Sequence, residues 1–207
     1  MNKATYLIVT AGMIAVILLF LYRVNLAKTH QEPNRGCQEV SVDNHIYRGQ
    51  CLPEGYKPAY LVPLSARDSW LDTKQYLDIR AEIVFDNVIK DAEKDGMCLV
   101  VSSGYRSVEE QQKLLDIATD KDIVARPNES EHQTGLAVDF VACPMRNGVR
   151  DDRVERLELK NDFDTLPEYK WLQDNADRYD IEQSFRADNI DKAGYPVESW
   201  HWKLIIK

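Results

Sequence analysis

The apolar positions divide the chain into one continuous run near the start and several periodic stretches further on. Tyr6 to Tyr22 is apolar apart from Thr10, preceded by Lys3 and followed by Arg23 and Lys28. A run of this length is near the minimum for a helix that crosses a bilayer, so residues 1–23 are expected to form an N-terminal transmembrane anchor. A cleaved signal peptide is the alternative, although Val24, Asn25, Leu26 and Ala27 make a poor processing site. Either reading exports the rest of the chain. The flanking charges nearly cancel and give no orientation of their own.

From Val24 to about Arg48 the sequence is polar, mixed in charge and without periodicity. Residues 24–50 therefore read as a linker, and 51–207 as the domain it carries. Between Asp72 and Lys94 the residues Leu77, Ala81, Val84, Val88 and Ala92 recur at helical spacing, and Gly96 closes the run. Met97 to Ser102 suits a buried strand. Ser107 followed by Glu110 is a capping box, which predicts a helix over about 108–118. The polar stretch 119–131 contains Pro127 and Asn128 and is a loop long enough to be functional.

After Gly135 the period becomes two. Leu136, Val138 and Phe140 face one side of a strand, with Ala137, Asp139 and Val141 on the other. Thr165 and Glu168 suggest a second capping box, opening a helix with Tyr169, Leu172 and Ala176, and Trp200–Ile206 reads as a final strand. The fold class is α+β: a small antiparallel sheet flanked by helices, with a metal site on the sheet face, preceded by the transmembrane helix.

Composition narrows the function. A chain of 207 residues with 44% hydrophobic content supports one core, and a net charge of -8 excludes a nucleic-acid partner because no basic stripe exists to neutralise phosphates. The four cysteines, Cys37, Cys51, Cys98 and Cys143, contain no Cys-x-x-Cys pair. Disulfides Cys37–Cys51 and Cys98–Cys143 are expected, the second because its cysteines fall on strands expected to be neighbours; buried free thiols in the core strands are the alternative.

Of the four histidines, His30 and His45 fall in or near the linker, whereas His132 and His201 lie at the edges of predicted strands. His132 ends a loop and Asp139 sits on the strand that follows; Gly135 between them allows a tight turn. With His201 they form a three-ligand set that leaves one coordination position open, the pattern of a catalytic zinc. Two neutral imidazoles and one carboxylate keep the centre cationic enough to acidify water and polarise a carbonyl. Glu198, three residues before His201, is then the general base. Glu131 is the rival, but an extended chain points it away from His132. The choice of Glu198 itself requires a turn or bulge before His201. Each residue also has an ordinary reading, His201 as packing beside two tryptophans and Asp139 as an ion-pair partner.

These residues resemble the motifs of VanY-type D-alanyl-D-alanine carboxypeptidases, within the zinc peptidases that include D,D-dipeptidases. Four stretches match in order: Leu52 to Pro58 is similar to the family's opening segment, Ser103 to Ser107 to its Ser-Gly-Tyr-Arg-Ser motif, Ser130 to Asp139 to Ser-x-His-x-x-Gly-x-Ala-x-Asp, and Glu198 to His201 to Glu-x-Trp-His. The resemblance implies one Zn2+ held by His132, Asp139 and His201, with Glu198 as base. It implies that Arg106 binds the substrate carboxylate or the developing oxyanion, with Ser130 and Gln112 in the substrate pocket and Tyr105, Trp200 and Trp202 as walls or core. Asn128 stands where relatives often carry glycine, a position that asparagine tolerates at positive φ.

The expected activity is removal of the terminal D-Ala from peptidoglycan stem peptides, by a single-pass protein of the cell membrane whose domain faces the periplasm or cell exterior. An L,D-carboxypeptidase, a peptidoglycan endopeptidase and a non-catalytic wall-binding module are the competing readings.

Overall fold

A computed structural model describes residues 36–65, 68–69, 74–143, 145–146, 149–150 and 162–206. Gln38–Lys207 forms one compact unit. At its centre lies a four-stranded antiparallel sheet of β5 (Leu99–Ser103), β6 (Ala137–Ala142), β9 (Ile181–Gln183) and β10 (His201–Leu204), in the order β5-β6-β10-β9. Two-stranded ribbons surround it: β1 (Gln38–Glu39) with β2 (Gln50–Cys51), β3 (Leu61–Pro63) with β4 (Tyr76–Asp78), and β7 (Met145–Arg146) with β8 (Val149–Arg150). Four α-helices are described, α1 (Ile79–Lys94), α2 (Val108–Ile117), α3 (Pro167–Asn175) and α4 (Ile190–Ala193). The α+β class and the small antiparallel sheet with flanking helices are as the periodicity indicates.

The sheet has two different faces because β6 alternates. Val138 and Phe140 join Phe85, Val88 and Ala92 of α1 and Trp171 and Leu172 of α3 in the main core. Burying each such large side chain contributes about 1.5–3 kcal/mol. On the opposite face Val141 packs with Val100, Cys98 and Cys143, and Asp139 points into the functional cleft. Cys98 and Cys143 form a disulfide, Cys37 and Cys51 are also disulfide-bonded, and no cysteine among the described residues is free.

Local signals place the boundaries. Ser107 and Glu110 form the reciprocal capping box that starts α2. α1 begins later than its periodicity suggests: Tyr76–Asp78 pairs with Leu61–Pro63, and the Asp78 side chain caps the helix by accepting from the Arg80 amide. The second predicted capping box is absent. The Thr165 hydroxyl donates to the Asp162 carbonyl at 2.7 Å, and α3 starts with Pro167 and no side-chain cap. Residues 38–50, expected within a linker, belong to the compact unit, with Ile46 fully buried.

The expected transmembrane helix, with the membrane as a partner and the single-pass cell-membrane localisation, requires correction. No helix among the described residues is long and apolar enough to cross a membrane. The longest described helix, α1, has 16 residues and carries Arg80, Glu82, Asp86 and Lys90 outside its apolar stripe. The segment 1–23, to which that expectation applies, lies outside the described residues.

Candidate metal centre

The sheet register brings the first two ligands together. His201 on β10 lies directly opposite Asp139 on β6, and cross-strand partners present their side chains on the same face. His132 arrives from the 3-10 turn Glu131–Thr134, which Gly135 closes at φ +70° before β6 begins. His132, Asp139 and His201 are all buried, and one ligand atom from each lies within 4.8 Å of the other two.

The hydrogen bonds specify which nitrogens face the centre. His132 Nδ1 donates to the Gly104 carbonyl at 2.8 Å, leaving Nε2 at 3.3 Å from Asp139 Oδ1. His201 Nε2 donates to Glu131 Oε2 at 2.9 Å, leaving Nδ1 at 2.9 Å from Asp139 Oδ1. Ligand atoms around a tetrahedral zinc with bonds of about 2.0–2.1 Å sit about 3.3 Å apart. The two histidine-to-Asp139 separations are close to that spacing, and each outer ring nitrogen is held by a carbonyl or carboxylate, as metal-binding imidazoles require. The donor set therefore fits a single Zn2+.

Electrostatics favour the metal-binding forms of Asp139 and His132 and the protonated form of His201. Burial alone would push the Asp139 carboxyl up, yet His132 and His201 hold it well below the usual carboxylate range. Burial pushes His132 down toward its neutral, metal-binding form. Burial also opposes charge on His201, but hydrogen bonds to Asp139 and Glu131 outweigh it and push this group up to about 10, so a proton competes with the metal for Nδ1.

Both carboxylate oxygens of Glu131 are engaged. Oε1 accepts from the Ile46 amide at 2.8 Å and from His45 Nδ1 at 3.1 Å; Oε2 accepts from the Ser184 hydroxyl at 2.5 Å and from His201 Nε2. A carboxylate offers about four acceptor positions, and these donors fill them. Although burial raises it, Lys203, His201 and His45 hold Glu131 well below the usual range. The backbone there is a 3-10 turn and not extended, and the Glu131 side chain reaches His201, whose ring lies 4.9 Å from that of His132.

Glu198 lines the cleft, and the His201 amide donates to its carbonyl at 3.2 Å. The backbone thus makes the turn that brings Glu198 and His201 to one cleft. Arg106 lines it too, its Nη1 donating to Gln111 Oε1 at 2.9 Å and Nη2 to Ser103 Oγ at 2.8 Å. Burial pushes Arg106 down, while the Asp139 and Glu198 carboxylates act against that. Ser130 and Trp200 line the cleft, whereas Trp202 is core.

Gln112 does not reach the cleft. It is exposed on α2 and its amide donates to Asp116 Oδ1. The adjacent Gln111 is buried, lines the cleft, and joins Arg106 to the Ala125 carbonyl. One helical residue is about 100° of rotation, and capping signals alone do not set that phase. Asn128 adopts φ +68°, and its carbonyl accepts from the Leu52 amide. His45, Ser184 and Lys203, the outer partners of the centre, carry no local sequence signal because each acts through a long-range contact.

A family model described as VanY, D-alanyl-D-alanine carboxypeptidase, matches residues 74–206. YodJ of Bacillus subtilis (strain 168) is 32% identical over 171 residues, spanning 78% of this chain and 59% of the relative. The chain spans about half the length of the curated relatives it matches. Among solved structures, the LD-carboxypeptidase LdcB aligns with a TM-score of 0.66 at 28% identity, over 84% of this chain and 83% of LdcB. The D,D-pentapeptidase VanY of a VanB-type vancomycin resistance cassette, in complex with Zn(II), aligns with a TM-score of 0.61 at 25% identity, over 80% of this chain and 88% of that protein.

Proposed function

This chain belongs to the VanY D-alanyl-D-alanine carboxypeptidase family of zinc peptidases, and on that premise we propose that it is a zinc-dependent D,D-carboxypeptidase that removes the terminal D-Ala from peptidoglycan stem peptides. The observation that carries this reading is the convergence of His132 Nε2, Asp139 and His201 Nδ1 in a cleft that Glu198 and Arg106 also line. Bound Zn2+ supplies Lewis-acid chemistry, polarising a carbonyl and acidifying water.

The chain's own residues do the remainder. Glu198 takes a proton from the attacking water and delivers it to the leaving amine of D-Ala, as one carboxylate within reach of both can. Arg106, held by Gln111 and Ser103, presents fixed N–H donors to the substrate's terminal carboxylate or to the oxyanion that forms at the scissile carbonyl. Ser130, buried at the cleft wall, is a further polar contact for the peptide.

The likeness to LdcB supports a second reading, L,D-carboxypeptidase action on tetrapeptide stems with the same machinery. Incubation with defined penta- and tetrapeptide stems, with D-Ala release followed by mass spectrometry, separates the two. Release from pentapeptides alone is the expected result. Release from neither stem, or release indifferent to chelators, overturns the zinc peptidase reading.

A further inference from the structure

The segment Asn44–Ile46 precedes the part of the chain that the family model matches, residues 74–206, yet it packs against the back of the metal centre. The Ile46 amide and His45 Nδ1 supply two of the four donors to Glu131, both on Oε1. The Asn44 carbonyl accepts from Lys203 Nζ, and that buried ammonium lies 4.0 Å from the same Glu131 oxygen. His45 is fixed in turn, its Nε2 lying 3.2 Å from Glu182 Oε2.

Glu131 passes this order to a ligand. Its Oε2 holds His201 Nε2, so His201 can turn only Nδ1 toward the cation. Outer partners of ligating histidines select the tautomer and ring orientation, and losing one typically weakens metal binding about 10- to 100-fold. A buried carboxylate with half of its donors removed has lost the contacts that fix its rotamer, and that cost falls on the imidazole it orients.

We propose that Asn44–Ile46 is a positioning element of the zinc centre: by gripping Glu131 it fixes His201 with Nδ1 toward the metal, so zinc affinity depends on a segment outside the family match. This rests on the reading of His132, Asp139 and His201 as zinc ligands. His45 is not among the residues that line the cleft, and both oxygens of Glu131 are engaged by Ile46, His45, Ser184 and His201.

The test compares the full chain with His45→Ala and His45→Asn. The Asn side-chain amide can stand where Nδ1 stood and restore the donor to Glu131. Three quantities are measured: zinc affinity by chelator competition, the His201 tautomer by long-range 15N–1H NMR, and the melting temperature of the metal-free protein. His45→Ala is expected to weaken zinc about 10-fold and to disorder the His201 tautomer, with His45→Asn recovering most of both. A lowered melting temperature with unchanged zinc affinity and tautomer shows an ordinary structural role and overturns the proposal.

Should His45→Ala not fold, Glu182→Ala serves instead, since that carboxylate is 49% exposed. It is expected to loosen zinc by about threefold, in line with a partly exposed ion contact; unchanged affinity overturns the proposal. Wild-type protein that binds no zinc, or binds it through His201 Nε2, instead refutes the ligand reading beneath it.

Discussion

Replacing Gly135 with alanine tests whether the loop carrying His132 and the strand carrying Asp139 are locked at their junction. Gly135 has φ +70°, where an L side chain costs about 1–2 kcal/mol. A Cβ at this position would lie 2.9 Å from the Asp78 amide nitrogen and 3.3 Å from Leu61 Cδ2. The nearer atom is backbone and cannot retreat freely, because that amide donates to the Gly135 carbonyl at 3.0 Å. Overpacking of this kind costs about 1–3 kcal/mol, for a total of about 2–5 kcal/mol. Gly96→Ala is the control: φ is +81° but nothing lies within 4 Å of the added Cβ, so only the conformational cost applies. Urea unfolding of both variants without metal should show Gly135→Ala less stable than Gly96→Ala by about 2 kcal/mol, or about 4–8 °C in melting temperature for a domain of this size. Zinc affinity should fall in Gly135→Ala alone, because the disturbed turn joins two ligands. Equal destabilisation of the two variants would refute the close-approach argument.

Glu198→Ala should lower kcat by about 10²–10⁴-fold while retaining zinc, measured by turnover beside metal content; unchanged hydrolysis would reject Glu198 as base. Gln111→Ala should raise KM about 10-fold by releasing Arg106, a hydrogen bond to a charged group being worth about 1.5–3 kcal/mol, whereas Gln112→Ala should leave KM unchanged; the reverse result would restore Gln112 to the pocket. His201 has its folded pKa raised to about 10 against an ordinary 6.5, so its contribution to metal-free stability is complete below about pH 6.5 and is lost as pH rises through about 10. Thermal melts of metal-free protein should therefore fall across that window, and a flat profile would contradict it. Opening the Cys98–Cys143 disulfide, which spans a sequence separation of 45, should cost about 4 kcal/mol on the chain-entropy account, read from unfolding of the Cys98→Ser/Cys143→Ser variant.

Sequence alone determined the features that depend on neighbours along the chain. The Ser107–Glu110 capping box, the two-residue period through Leu136–Val141 and the helical stripe ending at Ala92 are local patterns, and local patterns set secondary structure through backbone geometry. The metal ligands were legible for a related reason: imidazole and carboxylate in a recurring order form a motif, whatever their distance in the chain. Position within the fold was decided elsewhere. Gln111 and Gln112 differ only in rotation about α2, which packing sets. Thr165 matched a capping pattern but ends a 3-10 turn in which its hydroxyl donates to the Asp162 carbonyl, so the N-cap position falls on Leu166. The register that sets His201 against Asp139 and the grip of His45 and Ile46 on Glu131 exist only once separate segments pack. A buried carboxylate must collect donors from wherever the fold brings them, and no residue adjacent in the chain records which ones those are.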